Sequence, residues 1–203
     1  MLVHRSIARL AAAAAGATVV ALSLAPAAQA RTVDHDDHTR DVRSVALDDE
    51  DSTLTPAPRH RDGDIATVRI SNGTVVGIRA TYVDLRRTSG YRVDILKIVT
   101  NERVVRNVYI TSGPGYYNGT VEVTRANGEQ VACRVTHSVD YGTNVMAIHV
   151  PRPCLSAPRS VRVGLITASL THDYRLLFLD DALRDHTASL NGTPLLSDRV
   201  WLH

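Results

Sequence analysis

The sequence predicts an all-β fold, an antiparallel β-sandwich or jelly roll of about nine strands stapled by one disulfide. Three observations lead there. From residue 64 onward the chain is a series of short β-branched runs, punctuated by turn residues roughly every ten positions. Nothing between those runs is long and helical enough to form a βαβ crossover. Two cysteines, Cys133 and Cys154, are the only ones present, and an even count suits a bridge formed in an oxidising compartment.

The elements follow in order. Residues 1–30 read as a secretory signal peptide: a basic start with Arg5 and Arg9, the apolar run "LAAAAAGATVVALSLA", and an A-x-A cleavage site at Ala28, Gln29 and Ala30. The apolar run, broken by Gly16 and Ser23, is short for a membrane span of ~20 residues. No second apolar span follows, so the mature chain is expected to be secreted and to have no membrane contact after cleavage. The full chain carries a net charge of +2. Removing the two signal arginines leaves a neutral protein.

That neutrality hides an asymmetry. Residues 31–63 hold five arginines and nine acids, while residues 64–203 hold sixteen basic and twelve acidic side chains. An excess of four spread over the second segment is not the clustered basic stripe of a nucleic-acid binder. The first segment is charged, lacks aromatics and ends in "TPAPRHRDGD". Its composition predicts a disordered acidic leader, because it has too little apolar surface to offset its ordering entropy.

The domain over residues 64–203 then reads strand by strand: 65–71 closed by Asn72-Gly73, 75–85 by "RRTSG", 91–100 by Asn101-Glu102, 106–112 by "GPGYYNG", and 120–125 by Asn127-Gly128, a two-residue hairpin signal. Further runs cover 130–141, 145–151, 160–171 and 174–181. On 130–141, alternation places Val131, Cys133 and Val135 on one face, and Met146, Ile148, Val150 and Cys154 share parity on the next segment. Folding about "YGTN" brings Cys133 to Cys154. The only phenylalanine, Phe178, and the only tryptophan, Trp201, are both expected to pack.

The block "VMAIHVPRPCLSAPRSVRVGL" (145–165) holds Pro151 to Leu155, Pro158 and Val161 to Val163, and is followed by Asp180 to Ala182 and "LSDRV" (196–200). This pattern resembles a group of uncharacterised secreted β-sandwich-like proteins of actinobacteria. The resemblance spans about residues 64–200. It implies secretion and a sandwich domain but no catalytic residues. Ser160 departs from it, standing where the group often has an aromatic residue.

Several clusters are candidate sites. "VDHDDHTRD" (33–41) groups His35 and His38 with aspartates, but a flexible leader offers no fixed geometry for a metal. Asp173, Asp180, Asp181 and Asp185 supply hard oxygen ligands suited to calcium, although their spacing matches no EF-hand. Otherwise no cofactor is expected. Tyr116 and Tyr117 sit in a loop where aromatic faces could grip a ligand. His137 and His149 have opposite parity and should not meet. His172 and Asp173 lie without a G-x-S-x-G turn.

The resulting expectation is a secreted, non-catalytic binding or interaction module. Its partner would be an unknown extracellular protein or a cell-wall polymer. A structural protein of the cell envelope and a hydrolytic enzyme using His172, Asp173 and Asp180 are the alternatives.

Overall fold

The computed structural model describes residues 31–48, 53–184 and 192–202. The signal-peptide stretch and Asp185 lie outside the described residues. In chain order the strands are β1 (Arg31–Asp36), β2 (Arg43–Ala46), β3 (Thr55–Pro56), β4 (Ile65–Asn72), β5 (Val75–Tyr82), β6 (Tyr91–Thr100) and β7 (Val105–Ser112). They continue with β8 (Thr120–Thr124), β9 (Thr136–Asp140), β10 (Val145–Pro151), β11 (Ser160–Leu170), β12 (Leu176–Asp181) and β13 (Val200–Trp201). One sheet runs β1-β4-β5-β10-β9. The other runs β3-β2-β12-β11-β6-β7-β8, with β13 also paired to β11. Every strand pairing is antiparallel. The all-β, disulfide-linked sandwich is therefore the observed fold.

Alternation explains the core. Val76, Ile78 and Ala80 on β5 and Leu96 and Ile98 on β6 are buried, as are Val108 and Ile110 on β7 and Met146, Ile148 and Val150 on β10. These positions form one apolar cluster between the sheets. On β4 the phase slips at a bulge between Ile65 and Thr67, which lets Ile65 and Val68 both face inward.

The expected run over 130–141 forms a strand only at β9, and Cys133 lies in the extended link before it. Cys154 lies in a 3-10 turn, Arg152–Leu155. The bridge between them forms as expected, with Cα atoms 5.7 Å apart.

The described residues of this segment, 31–48 and 53–63, do not follow the expectation of a disordered leader. β1 pairs with β4 from Arg31↔Asn72 to Asp36↔Thr67, and Asp34 meets Arg69 in register. The chain then crosses to the other sheet, where β2 extends it beyond β12 and β3 beyond β2. Val42 and Val45 are buried. A composition rule treats the segment as if it stood alone. Here two sheet edges satisfy its backbone, so a few valines are enough to seat it.

The C-terminal segment completes the edge of β11. β12 covers Ile166–Leu170 of that strand, while the Ser197 amide donates to the Val163 carbonyl and the Ser197 hydroxyl accepts from the Val163 amide. Val200 is buried, whereas Trp201, expected to pack, is 42 % exposed. Neighbouring residues on a strand face opposite ways, so only one of the two can enter the core.

Gly164 permits this docking. A Cβ there would stand 2.2 Å from the Leu195 carbonyl oxygen and 2.8 Å from Pro194 Cβ. Gly164→Ala is expected to cost about 1–3 kcal/mol by overpacking and to lower the melting temperature by several degrees. An unchanged thermal melt would mean that residues 192–197 do not lie against β11.

Candidate functional site: an aromatic groove and a buried carboxylate cluster

One end of the sandwich gathers side chains from five loops and strand ends. Tyr91 opens β6. Its ring lies 6.4 Å from that of Tyr116 and 5.8 Å from that of Tyr174. Tyr117 meets Tyr141 edge-on at 6.3 Å, and its hydroxyl donates to the Thr88 carbonyl at 3.2 Å. The Tyr141 hydroxyl donates in turn to the Tyr117 carbonyl at 2.7 Å. The Arg87 guanidinium carbon sits over both rings, 5.8 Å from Tyr117 and 5.2 Å from Tyr141. Tyr116 and Tyr117, adjacent in sequence, thus diverge into two aromatic groups. Both are half-buried, while Tyr174 is 54 % exposed.

Beside these rings a cavity of about 210 Å³ is lined by His60, Asp62, Ser169, His172 and Phe178 among others. His60 stacks on Phe178 with ring centroids 3.6 Å apart and planes 3° apart. Burial lowers the His60 pKa and raises that of Asp62. The ring nitrogen Nδ1 of His172 donates to the Ser89 carbonyl at 3.1 Å.

Behind the cavity Arg92 and Asp94, two residues apart on the inner face of β6, form a buried ion pair at 3.1 Å. The Asp94 carboxylate also accepts from Tyr82 at 3.0 Å and Thr167 at 2.8 Å. The Arg92 Nη2 and Ser169 Oγ atoms are buried without a hydrogen-bond partner. They are polar groups left over where a second, narrower cleft is walled by Tyr91, Tyr117 and Tyr141. Close approach at this end depends on Gly90, whose Cβ would stand 2.1 Å from the Leu170 carbonyl oxygen.

The second assembly lies where the chain changes sheets. Asp37 and Asp41 sit in the crossover between β1 and β2, Asp64 precedes β4, and Asp180 and Asp181 end β12. Their exposures are 9 %, 8 %, 0 %, 3 % and 1 %. One carboxylate oxygen each from Asp37, Asp41 and Asp180 lies within 4.8 Å of the other two. Asp180 accepts from the Ile65 amide at 2.6 Å, Asp64 from the Arg40 amide at 3.0 Å, and Asp37 from the His38 amide at 2.8 Å. Burial, reinforced by the neighbouring carboxylates, pushes Asp37 up to about 9 and Asp180 up to about 8. Burial pushes Asp64 up to about 6 against the pull of the Arg40 amide.

This geometry corrects the aspartate set read from the sequence. Asp173 is exposed in the turn before β12, where its carboxylate accepts from the Thr171 hydroxyl at 2.6 Å. Four residue steps of β12, about 13 Å at ~3.3 Å per residue, separate that turn from Asp180, so no single ion reaches both. Asp181 turns away from the triad and is held by the Arg184 guanidinium at 2.8 Å and the Leu195 amide at 3.1 Å.

The sequence reading set the stretch that holds Asp37 and Asp41 aside as a flexible leader and did not single out Asp64. The available signal was the short valine-containing run "VRSVAL" (42–47), the most apolar stretch of the acidic segment. His137 is half-buried, bonding the Asn118 carbonyl, and His149 is exposed; the two stay apart, as their parity implies.

Among the described residues no helix is long and apolar enough to cross a membrane. Comparison with protein-family models, with curated proteins and with solved structures finds no match for the chain.

Proposed function

We propose that this is a secreted, non-catalytic binding module that uses the tyrosine-lined end of the sandwich to hold a cell-wall polymer. The observation that carries the reading is the pair of aromatic groups, Tyr91–Tyr116–Tyr174 and Tyr117–Tyr141, beside a small cavity that holds His60, Asp62 and His172. Half-exposed tyrosine faces suit the C–H faces of sugar rings, and the hydroxyl, imidazole and carboxylate groups between them suit sugar hydroxyls. Export is supported by the signal-peptide pattern, by the disulfide, and by the similarity of the V-P-R-x-C-L block to a group of secreted actinobacterial proteins. A hydrolase reading gains the two histidines of the cavity. However, Ser169 Oγ and His60 Nε2 both lack a hydrogen-bond partner and therefore do not bond each other. The pairing that would activate a serine is missing.

The test is binding of the mature protein to purified cell-wall polysaccharide, followed by calorimetry or affinity electrophoresis. Tyr116→Ala and Tyr174→Ala are each expected to weaken binding about tenfold while the thermal melt changes little. Retained affinity in both variants would remove the tyrosine groups from the binding face. Saturable binding to an extracellular protein instead would favour the interaction-module form of the proposal.

A further inference from the structure

The carboxylate cluster at the sheet crossover is separate from the groove and is not needed by the binding reading. Three aspartates meet there, and Asp64 stands beside them. Arg40 and Arg61 stand near Asp64, and Arg184 holds Asp181. Repulsion alone would drive such side chains outward into water. They are instead drawn inward, and two of them are left incomplete. Asp37 Oδ2, on a side chain nine-tenths buried, has no hydrogen-bond partner. Asp64 Oδ1, on a fully buried side chain, has none either. A buried carboxylate oxygen with no donor lacks the partner that its desolvation requires.

Asp37 Oδ2 belongs to a residue whose ligand-competent oxygen converges with those of Asp41 and Asp180. We propose that Asp37, Asp41 and Asp180, with Asp64 beside them, bind one calcium ion that clamps the β1–β2 crossover to the end of β12.

The donor set selects the ion. All the ligands are hard oxygens, which excludes soft-ligand metals such as copper(I). Oxygens within 4.8 Å of one another fit around a cation whose bonds are about 2.3–2.6 Å long, as calcium's are. Magnesium requires bonds of about 2.0–2.1 Å in a near-ideal octahedron and keeps several waters, which a buried crossover accommodates poorly. Three carboxylates contribute three negative charges, so a divalent ion neutralises most of the repulsion. The site draws on residues far apart in the chain, and only the folded protein can assemble it. Binding energy at such a site is therefore folding energy.

The experiment uses the mature chain, residues 31–203, stripped with EGTA and then titrated with calcium chloride. Calorimetry should give a stoichiometry near one, and millimolar calcium should raise the melting temperature by about 5 °C or more. Equimolar magnesium should raise it by less than half as much. Asp37→Asn should abolish the calcium shift, yet melt in EGTA at or above the wild-type temperature, because the amide keeps the shape of the carboxyl and its oxygen still accepts from the His38 amide. A merely structural Asp37 would lower the melt in both buffers. Asp64→Asn is the second variant and should weaken the calcium shift at least threefold in apparent affinity. No melting shift and no heat at 10 mM calcium, or a full calcium shift retained by Asp37→Asn, would overturn the proposal. An equal response to magnesium would overturn the assignment to calcium.

Discussion

Replacing Cys133 and Cys154 together by serine is expected to lower the melting temperature of the mature protein by roughly 10 °C. The bridge closes a loop across 21 positions, worth about 3 kcal/mol on the chain-entropy account. For a domain of this size each kcal/mol shifts the melt by about 2–4 °C. Local structure increases the dependence. Cys133 lies in a link that forms no strand, and Cys154 lies in a short 3-10 turn beside the fully buried Leu155. Apart from the bridge, the Cys133 link is tied to β8 mainly by the Val131 amide donating to the Val123 carbonyl. Both sulfurs pack against the core, so the loss includes apolar contact as well as loop entropy. Circular dichroism melts of wild type and double variant decide the point. A difference under 2 °C, or two titratable thiols in the untreated protein, would refute the role assigned to the bridge.

In calcium-free buffer, the folded protein is expected to lose stability steadily as pH rises from about 4.5 to 9. The sign follows from linkage. Asp37, Asp180 and Asp64 have folded pKa values of about 9, 8 and 6, against an ordinary 3.8. Through that window the folded state holds more protons than the unfolded chain, so its stability falls with each step up in pH. The loss is complete once pH passes the highest of the folded values.

Asp41 and Asp181 add repulsion to this cluster, and Arg40 and Arg61 beside Asp64 and Arg184 beside Asp181 oppose it. Three exposed aspartates run the other way. The Arg69 side chain lowers Asp34, the Thr143 hydroxyl lowers Asp140, and the Thr171 hydroxyl lowers Asp173. What these contribute is present above the ordinary carboxylate range and is lost only in stronger acid. His60, lowered by burial, likewise withdraws stability as pH falls below its ordinary 6.5. A stability maximum near pH 5 results, with a melt at pH 8.5 lower by several degrees or more. Thermal melts across pH in EGTA test it. Asp37→Asn should flatten the slope, and a profile that is level or rises towards pH 8.5 would sink the prediction.

The strands from β4 to β12 were legible because their signal is local. Val76, Ile78 and Ala80 alternate with outward residues, and turn residues such as Asn127-Gly128 mark where the direction reverses. The Cys133–Cys154 pairing was legible from the count, since the chain has only two cysteines; neither lies on a strand, so alternation does not place them. Trp201 was misread because Val200 beside it takes the inward place. The groove was half legible: Tyr116 and Tyr117 were singled out, but Tyr91, Tyr141, Tyr174 and His60 reach them only through strand pairing and loop packing.

By itself, the sequence determined which stretches hold the strands β4 to β12, which cysteines pair, and that the fold is an antiparallel sandwich. Periodicity and turn chemistry are properties of a few consecutive residues. Only the tertiary structure decided that "VDHDDHTRD" is built into the sandwich, with Asp34 paired to Arg69 and Asp37 turned inward to Asp180. Whether an aspartate is solvated or buried depends on what covers it. For Asp37 the cover is made of β4 and the end of β12, the latter more than a hundred residues away along the chain.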